Sequence, residues 1–196
     1  MKKLLTLLTL LALTASGAAA VQDESGSFIG MFTTETGTAC DVDLAIGAET
    51  IVYIIASLNA DGIPALSACE FKVDNYPGNP GYPTAIITPS WTTGLVIGDD
   101  PAVSISLAYE NPLPEAQLVV LGELSFLVFD PTWIVGEYVM TIAPADGQTY
   151  INVVDDAFTT WWVNGGTFTF NCEGECPCEP TVGAEEASWT SIKALY

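Results

Sequence analysis

The sequence predicts an all-β protein, with two mostly antiparallel sheets packed as a β-sandwich and a short C-terminal α-helix. Three observations carry that expectation. Segments such as Cys69-Glu70-Phe71-Lys72-Val73-Asp74 alternate apolar and charged residues, so one face of each is buried and the other wet. Turn residues recur at roughly ten-residue intervals, the spacing of short strands in a sandwich. Helical spacing appears in one stretch, the last, where Trp189, Ile192 and Leu195/Tyr196 share a face.

The chain opens with Met1-Lys2-Lys3, the apolar run Leu4 to Leu13 and Ala18-Ala19-Ala20. A cationic start, a short apolar stretch and a small-residue cleavage site describe a secretory signal peptide. The run is too short for a span of roughly 20 residues, so cleavage after Ala20 is expected, with secretion to the periplasm, cell surface or medium. The expected organisation is signal peptide 1–20, sandwich domain 21–171, Cys-rich connecting tail 172–184 and amphipathic helix 185–196. No second apolar stretch suggests a membrane span after cleavage.

Phe28 to Phe32 is the expected first strand. Thr50 to Leu58 is apolar on both faces and β-branched, as a central strand requires. Val103 to Tyr109 repeats the period-two pattern, and Gln117 to Phe129 is longer, with Gly122 at a bulge or bend. Ile134 to Ile142 and Thr149 to Val154 read as a hairpin around Asp146-Gly147. Thr167 to Phe170 is the expected last strand. Tyr76-Pro77-Gly78-Asn79-Pro80-Gly81-Tyr82-Pro83 is a connection, because its prolines lack amide donors and its glycines favour turns. Asp99-Asp100-Pro101, Asn111 to Pro114 and Asp130-Pro131 also read as connections. In Glu185 to Tyr196, acids at the start and Lys193 near the close suit a helix dipole. So short a helix must dock, on its own sandwich or on a partner.

Composition excludes several classes. The chain has 24 acidic residues, four basic ones and no histidine, for a net charge of −20. Lys2 and Lys3 leave with the signal, so the exported chain keeps only Lys72 and Lys193. Such a surface repels nucleic acid and anionic headgroups. Without imidazole the commonest general base and metal ligand are missing.

Three stretches resemble the cohesin-type and related carbohydrate-binding-module sandwiches of secreted bacterial proteins. Ile46-Gly47-Ala48-Glu49-Thr50-Ile51-Val52-Tyr53 is similar to the entry into an early strand of those modules. Ile63 to Val73, with Glu70-Phe71 inside it, resembles the strand that follows, and Leu121 to Val128 a later one. The resemblance covers about a sixth of the chain and implies a cohesin/Ig-like jelly-roll sandwich in proteins that hold scaffolds or polysaccharides together. No dockerin-like twelve-residue calcium loop accompanies it.

Five cysteines, Cys40, Cys69, Cys172, Cys176 and Cys178, lie in the exported part, where disulfides are the default. Five cannot all pair. Cys176-Pro177-Cys178 would close a strained ring, so a bridge pinning residues 171–180 to the body is expected. The rival is a zinc site from Cys172, Cys176, Cys178 and a fourth thiolate; we expect no metal there and no cofactor. Asp41/Asp43, Asp99/Asp100 and Asp155/Asp156 read as solvated turns, with weak extracellular calcium as the alternative. Trp91, Trp133, Trp161 and Trp162, with Tyr76 and Tyr82, sit at or beside loops and are candidate ligand-binding rings. Trp161 and Trp162 should point to opposite faces.

The functional expectation is a secreted or cell-surface, non-catalytic structural or interaction module, with no catalytic residues. It would bind a protein partner through its surface and through a docking helix bearing Trp189, Ile192, Leu195 and Tyr196. The alternatives are a carbohydrate-binding module that takes polysaccharide on its rings, and a carboxylate-dependent glycoside hydrolase, which needs two facing acids.

Overall fold

Twelve strands, joined into one hydrogen-bonded network, fold into two layers in a computed structural model that describes residues 26–114, 118–176 and 178. The expected signal segment 1–20 and helix 185–196, with Trp189, Ile192, Leu195 and Tyr196, lie outside the described residues. The strands are β1 (Phe28–Phe32), β2 (Asp41–Val42), β3 (Glu49–Ser57), β4 (Ala65–Asp74), β5 (Ala85–Trp91), β6 (Leu95–Ile97), β7 (Ile105–Pro114), β8 (Val119–Val128), β9 (Tyr138–Ala143), β10 (Ile151–Val154), β11 (Thr160–Gly165) and β12 (Thr167–Phe170). The fold is all-β and mostly antiparallel.

One sheet runs β5-β8-β3-β1. The other runs β6-β7-β4, then β9 and β10, then β11 and β12, with β2 at its far edge. Two parallel pairings, β1 with β11 and β2 with β12, break the antiparallel rule. The first joins the two sheets along one side of the sandwich. On the opposite side the chain crosses between them at Thr92-Thr93. The Thr92 hydroxyl donates to the carbonyls of Val120 and Leu121 on β8 (3.2 and 2.9 Å), and Thr93 donates to Ala108 on β7. The crossover is thus tied to both layers.

The core lies between the sheets. Phe126 of β8 meets Phe170 of β12 edge-on at 4.9 Å, and Phe168 packs on Phe170 at 5.1 Å. Phe71 of β4 meets Trp91 of β5 at 6.1 Å. Aromatic pairs of this geometry add about 0.5–1.5 kcal/mol beyond area burial. β3, between β1 and β8, buries Val52 to Ser57 save for Tyr53, as its two-faced apolar sequence requires.

The bulge expected at Gly122 is present. Register slips between Ile54 and Ile55, opposite Gly122 and Val120, so Leu121 is the extra residue. A Cβ on Gly122 would lie 2.5 Å from both the Ser90 carbonyl oxygen and the Trp91 ring, so only glycine lets β5 approach this closely.

Two expectations are corrected. β9 and β10 are not a hairpin. Both pair antiparallel with β4, with Ala143 opposite Lys72 and Asn152 opposite Glu70. They lie end to end in one sheet position, and residues 144–150 loop out between them. The Asp146-Gly147 turn therefore serves an excursion within a strand line. Asn111 to Pro114 is also no connection but the end of β7. Beyond Ala108 that strand pairs only with β4, at Leu113 and Pro114 after a break in register, an irregular strand end of the kind that tolerates proline.

Candidate interaction face

Alternation along the second sheet sends Phe71, Val73, Ile105, Leu107 and Val153 inward, to near-complete burial. Their neighbours necessarily face out. Ala68 and Glu70 of β4, Ser106 and Ala108 of β7, Asn152 and Val154 of β10, Leu95 and Ile97 of β6 and Thr160 of β11 line a groove of about 420 Å³. Leu95 is 58% exposed and Ile97 67%, whereas Val96 between them packs on the core. Burying a leucine or isoleucine contributes about 1.5–3 kcal/mol, so these two leave a substantial gain unclaimed. The first sheet's edge strand turns out Ile86, Thr88 and Ser90, of which only Ile86 is a large apolar residue, at 38% exposure.

The electrostatics of the groove are one-sided. Lys72, the only basic side chain among the described residues, lies on the same face of β4 as Glu70. Its ammonium is held by Asp146 at 2.9 Å and Asp74 at 3.0 Å. Hydrogen bonds to Asp146 and then Asp74 raise its pKa. Glu70 receives instead a neutral hydrogen bond, from the Ser106 hydroxyl at 3.3 Å.

At the far end the β10–β11 turn is built on Asp155. The residue is 3% exposed. Its Oδ1 accepts the amides of Ala157 (2.9 Å) and Thr159 (2.8 Å), and its Oδ2 accepts the Trp161 indole N–H at 2.9 Å. Burial pushes the carboxyl pKa up, but the indole and amide donors outweigh it, and the net shift is downward. Beside the groove, Tyr150 stacks on Trp162 with centroids 4.0 Å apart and planes 11° from parallel.

The candidate rings are not gathered on one surface. Trp91 packs on Phe71 at the end of β5, and Trp133 packs against the core from the β8–β9 connection. Trp161 turns inward to Asp155 and the core while Trp162 turns out to Tyr150, the opposite orientation their adjacency requires. All four tryptophans are half-buried. Tyr76 is half-buried, its pKa pushed up to about 12 by burial and by the charge of Asp100, and Tyr82 is 79% exposed against Phe129.

The cysteines form two disulfides, Cys40–Cys178 and Cys172–Cys176. The first is the expected bridge from tail to body. Cys69 is the odd thiol, buried on β4, and burial pushes its pKa up to about 12. Cys172, Cys176 and Glu137 cluster tightly, but those sulfurs are bonded to each other. Among the acid pairs, Asp155 is committed to its turn and Asp100 accepts the Ala102 amide at 2.9 Å; Asp41 and Asp43 are exposed. Among the described residues, no helix is long and apolar enough to cross a membrane.

Sequence reasoning missed Leu95 and Ile97. The available signal was a Leu-Val-Ile run between Thr92-Thr93-Gly94 and Gly98-Asp99-Asp100, a strand too short to show alternation.

No protein-family model matches the chain, and no curated protein matches it. Solved structures do. The sixth cohesin of scaffoldin B from Acetivibrio cellulolyticus, solved in complex with a mutant dockerin, superposes with a TM-score of 0.50 at 10% identity, over 76% of this chain and 100% of that one. The cohesin module of a family 33 glycoside hydrolase from Clostridium perfringens gives 0.46 at 8% identity, over 73% and 95%. A type I cohesin of ScaB from Pseudobacteroides cellulosolvens gives 0.45 at 12%, over 77% and 94%. The fold is cohesin-like.

Proposed function

We propose that the protein is an exported, non-catalytic interaction module that docks a protein partner on the groove face of its second sheet. The observation that carries this is the exposure of Leu95 and Ile97 on one strand beside a groove of an anionic molecule; Tyr82, Val135 and Phe158 are exposed too, but on loops. The cohesin-like fold supports it, since the Acetivibrio cellulolyticus module holds a dockerin in its structure. The two disulfides fit an oxidising compartment and hence the leader read in residues 1–20. Glu70 is the one carboxylate lining the groove, whereas glycoside hydrolysis uses a pair.

The test is site-specific photo-cross-linking on the producing cell's surface fraction, with the probe at Ile97 in one protein and at Ile86 in another. A single protein adduct from position 97, absent from position 86, is expected. Equal adducts at both, or none at 97, would contradict the proposal. Polysaccharide is the second reading, favoured by the Tyr150–Trp162 stack, with Tyr150 40% exposed. A glycan array with Tyr150→Ala as its control separates the two.

A further inference from the structure

The groove is apolar at its β6 end and anionic at its centre, and the molecule's own cation does not neutralise that centre. Lys72 is two residues from Glu70 on the same face, yet it is clamped between Asp74 and Asp146. Asp146 belongs to the 144–150 excursion, whose backbone is fastened by a hydrogen bond from the Asp146 amide to the Val103 carbonyl at 3.0 Å. The loop that interrupts the β9–β10 line thus places a carboxylate on Lys72. Glu70 is left to the Ser106 hydroxyl, beside Ala68, Ala108 and the exposed pair Leu95 and Ile97.

Resting on the docking face proposed above, we infer that Glu70 anchors a lysine or arginine of the partner. The occupant is a cationic amphipathic segment whose apolar side chains cover Leu95 and Ile97. Charge complementarity favours this occupant over a second copy of the chain, because two such copies would bring like charge to like. A direct charge-assisted hydrogen bond to the partner's cation sets Glu70 apart from acids that act only through the general field.

The test uses the purified protein and two synthetic amphipathic peptides that share a leucine stripe and carry either lysine or glutamine on the polar face. We expect the lysine peptide to bind at least about tenfold tighter, a difference of about 1.4 kcal/mol. Glu70→Gln, which keeps an acceptor for Ser106, should bring the two affinities together. Glu35→Gln, an equal charge change on an exposed loop, should leave the preference intact. If Glu35→Gln narrows the preference as much as Glu70→Gln, the attraction is diffuse and Glu70 is not the anchor. If both peptides bind equally and Leu95→Asp abolishes binding, the docking face stands and the cation reading falls. If neither binding nor preference responds to Leu95→Asp, the docking face itself is wrong.

Discussion

β5 and β6 follow one another along the open side of the sandwich, one in each sheet, and they are finished in opposite ways. On the free edge of β5 the donors at positions 85, 87 and 89 are taken or missing. The Ala85 amide bonds to the Gly81 carbonyl at 3.2 Å, the Ile87 amide to the Asn79 side chain at 3.3 Å, and Pro89 has no amide hydrogen. Its outward residues beyond Ile86 are Thr88 and Ser90. Blocked donors and polar side chains are how an edge strand avoids chance pairing. β6 differs in its side chains: its Leu95 amide donates to the Thr93 hydroxyl at 3.2 Å, but Leu95 and Ile97 stand in solvent over the groove. The difference between the guarded edge of one sheet and the apolar strand on the other supports the proposed docking face.

The contrast predicts where substitutions cost stability and where they cost binding. The largest stability effect belongs to the β5 side. Gly122→Ala forces a Cβ against Ser90 and Trp91, and overpacking of this kind costs about 1–3 kcal/mol; urea unfolding should place it near the top of that range. Asp155→Asn should cost about 2 kcal/mol, because the asparagine NH₂ cannot accept from the Trp161 indole. Its pH dependence has a definite sign. The folded pKa lies below the ordinary value of 3.8, so the stabilisation is complete above that value and lost as pH falls through the folded pKa. The difference between wild type and Asp155→Asn should therefore shrink below pH 3.8 in acid unfolding and stay constant above it.

Asn79→Ala removes one guard and two hydrogen bonds, from the Gly81 and Ile87 amides, about 1–2 kcal/mol in all, and sedimentation should show new self-association through β5. The smallest stability effect is expected for Leu95→Asp with Ile97→Asp, within about 0.5 kcal/mol as for ordinary surface sites. A large loss there would mean these side chains pack within the fold, and the contrast between the edges would fail.

The strands that alternate were legible in the sequence. β1 and β12 match their expected bounds, and the centres of β3, β4 and β8 were placed by burial pattern alone. β5 was missed because Pro89 and the proline-rich run before it look like loop, and only the structure shows that the proline sits on an edge. The β9–β10 error has a different origin. Asp146-Gly147 is a local turn signal, but pairing partners are chosen by long-range register with β4. For the face, the sequence marked Glu70 as the wet side of a strand and nothing more. Its importance depends on Lys72 being held by Asp146, more than seventy residues away. Cysteine spacing could call for a bridge from the tail, but the choice of Cys40 over Cys69 follows from long-range pairing: Cys40 lies beside β12, from which the tail leaves, whereas Cys69 sits mid-strand between β7 and β10.

The most direct measurement is methyl NMR of the protein titrated with the lysine amphipathic peptide. Perturbations confined to Leu95, Ile97, Ala68, Ala108 and Val154, with Ile86 and Leu127 on the other sheet unmoved, are predicted. Shifts centred on Ile86 and Leu127, or spread evenly over both sheets, would contradict the assignment of binding to the second sheet.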